Sequence, residues 1–185
     1  MQRQLAEIVK QFEHAQARVD RLTDAIPENR WPVRSDPDRW SVAECIAHLN
    51  LTSDAYIPRL RQAIVDARRM APVKSHRYRR DPAGFFFSAV IGPLPTLGGV
   101  RLGRVKTPPK FVPEGKLTRQ LVVAEFKKYQ EDLIAIVREG DGMALDKVWI
   151  KSPFGERIRY NCFSAFVILP RHQERHIDQA EAAGR

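Results

Sequence analysis

Four stretches of the sequence repeat apolar residues every three or four positions, and this periodicity limits the fold more than any other feature. The stretches cover residues 5–26, 42–64, 122–137 and 162–180. Each repeat places one apolar stripe along a helix, and such a helix must bury its stripe against a neighbour. The sequence therefore predicts an all-α protein built as a four-helix bundle.

Local signals refine these helices. Ser41, followed by Glu44 three residues later, is typical of a capping box and predicts the start of the second helix. Pro58 and Pro170 lie inside the second and fourth stripes, so we expect a kink or a break at Pro58 and a bend at Pro170. After the third helix, residues 148–151 and 157–160 are expected to pair weakly as two short strands.

The stretch from residue 71 to residue 117 lacks this periodicity. Seven of the 13 prolines and six of the 10 glycines fall between positions 70 and 117, together with three adjacent phenylalanines, Phe85 to Phe87. This composition predicts a long irregular connection between the second and third helices. If the phenylalanines are exposed, they would suit the interface of a homodimer.

Length and composition narrow the class of protein. A chain of 185 residues is long enough for one core, which predicts a single domain over residues 1–185. Two cysteines do not make a disulfide framework, and the polar N-terminus lacks an apolar signal stretch. Glycines and prolines interrupt the longest apolar region, residues 85–100, so no membrane segment is expected. We therefore expect a cytoplasmic protein.

The net charge of +9 is unevenly distributed. Between Arg59 and Arg80 the sequence holds seven arginines and one lysine against the single acidic residue Asp66. Such an excess fits an anionic partner. A charge run is more often a solvated face, however, so nucleic acid is a minority hypothesis.

Three of the five histidines could share one site. His172 and His176 are four residues apart, which places both imidazoles on the apolar face of the last helix. His48 lies at the edge of the second helix's stripe and is the candidate for a third ligand. Three histidines with open positions would suit Zn, Ni or Fe in a catalytic site. The alternative is that these are ordinary hydrogen-bonded histidines; His14 and His76 receive no role.

Several segments together resemble the DinB superfamily and its YfiT-like metalloenzymes. They are WSVAECIAHLN at 40–50, KTPPKFVPEGK at 106–116, SPFG at 152–155 and FSAFVILPRHQERHIDQAE at 163–181. The resemblance implies an up-down-down-up four-helix bundle and a divalent metal ion bound by three histidines. The family's ligand positions fall on His48, His172 and His176. The 71–117 connection is longer than in the smallest family members.

The resemblance also implies a class of chemistry. Relatives look like transferases and isomerases that use low-molecular-weight thiols such as bacillithiol or mycothiol, so we expect a thiol-dependent S-transferase or isomerase acting on a small molecule. One alternative is a hydrolase that uses a metal-bound hydroxide, although no carboxylate stands beside the ligands except Glu44, which also serves the helix cap. Another is a non-enzymatic basic binding module or dimeric scaffold, in which Cys45 would be the fourth ligand to check. No catalytic residue is assigned.

Overall fold

The structure, a computed structural model, describes residues 1–72, 77–92, 96–97, 100–101, 107–115, 117–155 and 157–185. Its helices are α1 (Arg3–Ala25), α2 (Val42–Arg68), α3 (Pro82–Ile91), α4 (Arg119–Glu139) and α5 (Cys162–Ala183). Its strands are β1 (Thr96–Leu97), β2 (Val100–Arg101), β3 (Trp149–Lys151) and β4 (Arg159–Asn161). Short 3₁₀ turns cover Glu28–Arg30 and Pro109–Phe111.

Four long helices follow the four predicted stripes. Both α1 and α2 pack against α4 and α5, and the stripe residues form most of the buried core. The predicted all-α class is therefore broadly confirmed. The up-down-down-up order of a four-helix bundle stays a prediction.

The predicted start of α2 is confirmed atom by atom. The Ser41 hydroxyl accepts a hydrogen bond from the Glu44 amide, and the Glu44 carboxylate accepts one from the Ser41 amide. A break at Pro58 does not occur, because α2 is continuous from Val42 to Arg68. Tyr56 and Leu60 are fully buried on either side of the proline, and their packing holds the helix together despite the lost backbone bond.

The connection between α2 and α4 is not irregular throughout, which corrects the prediction for residues 82–91. There α3 begins at Pro82, directly after Asp81, whose side chain caps the helix. A capping aspartate before a proline at the first helical position is a recognised start signal. The density of glycine and proline around it obscured that signal. Parts of the connection lie outside the described residues.

The buried Asp81 carboxylate joins the beginnings of α3 and α5. It accepts hydrogen bonds from the Gly84 amide at 3.0 Å, the Asn161 amide at 2.9 Å and the Ser164 hydroxyl at 2.8 Å. Asn161 in turn caps α5. Gly84 allows the two helices to approach closely, because a Cβ atom there would lie 2.1 Å from Ser164 Oγ.

The two predicted short strands are confirmed. They pair antiparallel as β3 and β4, so that Trp149 lies opposite Asn161 and Lys151 lies opposite Arg159. Between these pairs, Ile150 lies opposite Tyr160, and both side chains point into the core. The hairpin therefore presents its other face, which carries Trp149 and Lys151, to the outside.

Among the described residues the buried apolar side chains form two clusters, and on α2 and α5 the change from one cluster to the other coincides with buried polar side chains. On α2 the change occurs between Leu49 and Tyr56, and on α5 between Leu169 and Ile177. The buried polar side chains in these intervals are Asn50, Thr52, Ser53, His172, Gln173 and His176. Buried polar groups need partners. The histidines singled out from the sequence thus lie in or beside a polar layer.

The expected exposure of the phenylalanine cluster holds for two of its members. Phe85 and Phe86 are 60% and 64% exposed, whereas Phe87 packs against the core.

Although α3 is apolar, it has only ten residues. Among the described helices, none combines the length and the apolar character needed to span a bilayer.

Candidate metal centre

The structure brings together the three histidines chosen from the sequence. His48 projects from α2, and His172 and His176 lie one turn apart on α5. One potential ligand atom from each of them lies within 4.8 Å of the others. In the part of the chain that the structure describes, no other group of His, Cys, Asp and Glu side chains converges in this way.

The spacing of these nitrogen atoms suits a metal ion. His48 Nε2 and His172 Nε2 are 3.3 Å apart. Imidazole nitrogens bind Zn²⁺ at about 2.0–2.1 Å, so two adjacent ligands stand about 2.8–3.0 Å apart in octahedral and about 3.3–3.4 Å apart in tetrahedral coordination. The ring centroid of His176 lies 4.4 Å from that of His48 and 4.6 Å from that of His172. The cluster therefore fits one ion among its three rings.

The tautomer of His48 follows from its hydrogen bond. Its Nδ1 lies 2.7 Å from the backbone carbonyl oxygen of Phe111, which can only accept a proton. Nδ1 must therefore carry the hydrogen, and Nε2 keeps its lone pair on the side that faces His172. A backbone carbonyl that orients a histidine in this way is a common support for a metal ligand.

Burial keeps all three imidazoles neutral. Desolvation lowers the pKa of His48 to about 4, with a further contribution from the positive charge of Arg175. The pKa values of His172 and His176 are also well below the usual range, first because of burial and then because of the neighbouring histidines and Arg175. Neutral imidazole is the form that binds a metal ion. At neutral pH the cluster is thus ready to bind without first losing protons.

The two histidines of α5 are supported differently from His48. In the described part of the chain, the buried Nδ1 atoms of His172 and His176 have no hydrogen-bond partner. Their rings make aromatic contacts: His176 stacks on Trp40 at 5.8 Å and His172 lies 5.6 Å from Phe154, both measured between centroids.

Three aromatic side chains around the cluster were not predicted as part of the site. Trp40 lies 4.9 Å from the His48 ring, Phe111 lies 6.4 Å from it, and Phe154 lies 4.8 Å from Phe111, all measured between centroids. The signal was present, because these residues belong to the WSVAECIAHLN, KTPPKFVPEGK and SPFG segments. Only the fold shows that the three segments meet at one place.

Other residues considered for the site have different roles. The carboxylate of Glu44 is occupied by the helix cap and by Arg34, whose guanidinium donates to it. Cys45 is fully buried in an apolar cluster, and burial raises the pKa of its thiol to about 12. Cys45 does not join the histidine group. His14 is exposed on α1, and His76 lies outside the described residues.

The arginines beside the α5 histidines contact α3 as well as solvent. Arg171 Nε donates to the Ser88 carbonyl at 2.8 Å, and Arg175 Nη1 donates to the Val90 carbonyl at 3.2 Å. These are carbonyls of the last turns of α3, which cationic side chains commonly cap. The two arginines therefore tie α3 to the helix that carries His172 and His176.

The sequence matches a known protein family. A sequence model with the description DinB superfamily matches residues 11–180, which is most of the chain. No curated protein matches the chain. No solved structure matches it.

Proposed function

Because the chain belongs to the DinB superfamily, we propose that it is a metal-dependent enzyme in which His48, His172 and His176 bind one divalent ion, Zn, Ni or Fe. We further propose that it acts on a small molecule as a thiol-dependent S-transferase or isomerase. The observation that carries the proposal is the convergence of three neutral imidazoles within 4.8 Å, one of which has its Nε2 lone pair directed inward.

Three protein ligands leave positions on an ion open to other molecules, which is typical of catalytic rather than structural sites. When bound, such an ion would supply Lewis acidity and lower the pKa of a thiol or water that it ligates. The described residues offer no cysteine or carboxylate as a fourth ligand in the group. An enzymatic site is therefore favoured over a structural one.

The surroundings of the cluster favour thiol chemistry over hydrolysis. In hydrolysis a carboxylate or a further histidine commonly acts as general base or acid. Among the described residues, no carboxylate joins the three histidines in the group. A thiol loses its proton without a general base more readily than water does, because the pKa of a thiol is near 8.5. Arg175 adds positive charge close to the cluster, which would attract the carboxylates of a low-molecular-weight thiol.

The aromatic residues would shape the substrate site. Trp40, Phe111 and Phe154 contact the histidine rings from different sides, and each histidine is less than 10% exposed. Such walls limit water around the cluster and strengthen electrostatic interactions there. They would select a compact, partly apolar electrophile.

Metal analysis tests the proposal most directly. We expect about one metal ion per chain in untagged wild-type protein, and loss of that ion in His48→Ala and in the double variant His172→Ala/His176→Ala. His14→Ala, which removes an exposed histidine, is the matched control and should keep the metal. Unchanged metal content in the cluster variants, with circular dichroism showing that they are folded, would refute the site and favour a metal-free binding module.

Thiol binding tests the reaction class. The protein would be reconstituted with Co²⁺, and its absorption spectrum would be followed during titration with bacillithiol, mycothiol and the non-thiol control serine. A saturable sulfur-to-cobalt charge-transfer band with either thiol is the expected result. No spectral change with either thiol would remove the thiol-dependent class and leave hydrolysis as the leading reaction.

The same protein can report on its oligomeric state. The exposed Phe85 and Phe86 side chains suit an interface between two copies, as proposed from the sequence. Sedimentation of the wild type and of Phe85→Ser/Phe86→Ser would test this proposal. Dimerisation that survives the double substitution would place the interface elsewhere.

A further inference from the structure

A cavity lies beside the start of α5, away from the histidines of the same helix. It has a volume of about 490 Å³, within the range of small-molecule sites. Asn161, the residue that caps the start of α5, forms part of its wall. His172 is eleven residues further along, or about 16 Å at 1.5 Å per residue. The cavity therefore belongs to a different region from the candidate metal centre.

The cavity is cationic, and much of its positive charge is unpaired. Its lining includes Arg77, Arg79, Arg80 and Lys147. In the described part of the chain, the side chains of Arg77, Arg79 and Lys147 form no ion pair and no hydrogen bond. By contrast, Arg80 donates to the Ser88 hydroxyl at 2.8 Å and lies over the Phe85 ring. Three basic side chains thus remain available to an anion.

The carboxylates in the wall do not cancel this charge. Asp81 is one of two in the lining, and it accepts hydrogen bonds from the Gly84 amide, the Asn161 amide and the Ser164 hydroxyl. The other, Asp146, lies 3.4 Å from the Arg79 amide nitrogen. Against four basic side chains, two carboxylates leave a formal excess of two positive charges.

The β3–β4 hairpin adds two more cations to the same surface. Lys151 and Arg159 are directly opposite each other, on the face of the hairpin that also carries Trp149 and Asn161 from the cavity wall. Both are exposed, and like charges in this position destabilise a strand pair. Neither residue lines the cavity, but both add positive charge near it, which would attract an anion at longer range.

Trp149 gives the cavity an aromatic wall. It lies at the start of β3 and is 56% exposed, unusual for the largest apolar side chain. An exposed indole beside unpaired arginines is the combination that binds a planar ring and an attached phosphate: the ring stacks and the guanidinium groups bind the oxygens.

We propose that this cavity is a binding site for a small phosphate ester with a planar ring, of the nucleoside monophosphate class. Arg77, Arg79 and Lys147 bind the phosphate, and Trp149 stacks on the ring. The site does not depend on the histidine cluster. It accounts for part of the basic run that the proposed enzymatic function leaves without a role.

Titration calorimetry with AMP tests the site in the wild-type protein, with inorganic phosphate and adenosine as probes for each half of the ligand. We expect saturable AMP binding at one site per chain, and at least tenfold weaker binding of phosphate or adenosine. Arg77→Ala/Arg79→Ala should weaken AMP binding at least tenfold. Trp149→Ala should weaken AMP binding but leave phosphate binding unchanged.

Controls separate this site from general charge and from the metal centre. Arg21→Ala/Lys128→Ala removes two charges from exposed positions elsewhere and should bind AMP like the wild type. His48→Ala should also bind AMP normally, even if it loses metal. Equal loss in both charge-removing double variants, no saturable AMP binding, or binding of a single-stranded oligonucleotide but not AMP would overturn the proposal.

Discussion

The buried histidine cluster makes the metal-free protein sensitive to mild acid. His48 has a pKa of about 4 in the folded protein, because of burial, against 6.5 in an exposed chain. At a pH between these two pKa values, His48 binds a proton in the unfolded chain but not in the folded protein. Stability therefore falls as the pH decreases from 7 towards 4.

The size of the effect follows from the two pKa values. Linkage gives a loss of about 2 kcal/mol between pH 7 and pH 5 from His48 alone. His172 and His176 act in the same direction, because their pKa values are lowered too. The three together would remove a substantial part of the roughly 5–15 kcal/mol that stabilises a typical domain.

Urea denaturation in EDTA at pH 7 and pH 5 measures this loss. Carboxyl groups also titrate in this range, so the decisive quantity is the difference between the wild type and His48→Gln, in which carboxyl contributions largely cancel. The variant should lose about 2 kcal/mol less between the two pH values. The exposed-histidine control His14→Gln should behave like the wild type. An equal loss in His48→Gln and the wild type would refute the reasoning.

Three further predictions concern the surroundings of the sites. Gly84→Ala should destabilise the protein by about 1–3 kcal/mol in thermal denaturation, because its Cβ would meet Ser164 Oγ at 2.1 Å. The same substitution should cost less in a Ser164→Gly background, where that contact is absent; an unchanged melting temperature in the single variant would contradict the close helix approach. Asp81→Ala should lower the free energy of unfolding by about 2 kcal/mol or more in urea denaturation, since it removes a helix cap and two further hydrogen bonds. A loss below about 0.5 kcal/mol, the lower limit for a cap, would contradict the proposal that Asp81 joins α3 to α5. Cys45→Ala should leave the metal content unchanged, whereas loss of metal from a folded variant would make Cys45 a ligand.

Much of the helical structure could be predicted because its causes are local. The apolar stripes, the Ser41–Glu44 capping box and the spacing of His172 and His176 depend on residues within about four positions of one another. The same local logic also identified the two short strands. It missed α3, although Asp81 and Pro82 were a sufficient start signal, because the surrounding glycines and prolines indicated a loop.

The family resemblance extended the prediction beyond local rules. The second helix already offered His48 as a third ligand for the pair on the last helix, and the resemblance placed the family's ligand positions on the same three residues. The structure brings the three together. Neither the resemblance nor the helical periodicity indicated that Arg171 and Arg175 bind the end of α3. A side chain long enough to reach a neighbouring element is not restricted to the direction that its helical position suggests.

The sequence by itself determined which faces of the helices are apolar, where several helices begin, and that two histidines share one face. Only the tertiary structure decided that His48 meets His172 across 124 positions and hydrogen bonds to Phe111 across 63. It also decided that the Arg77–Arg80 segment and the β3–β4 hairpin line one cavity. The reason is physical: local conformation depends on near neighbours, whereas these contacts depend on how distant segments pack once their apolar faces are buried together.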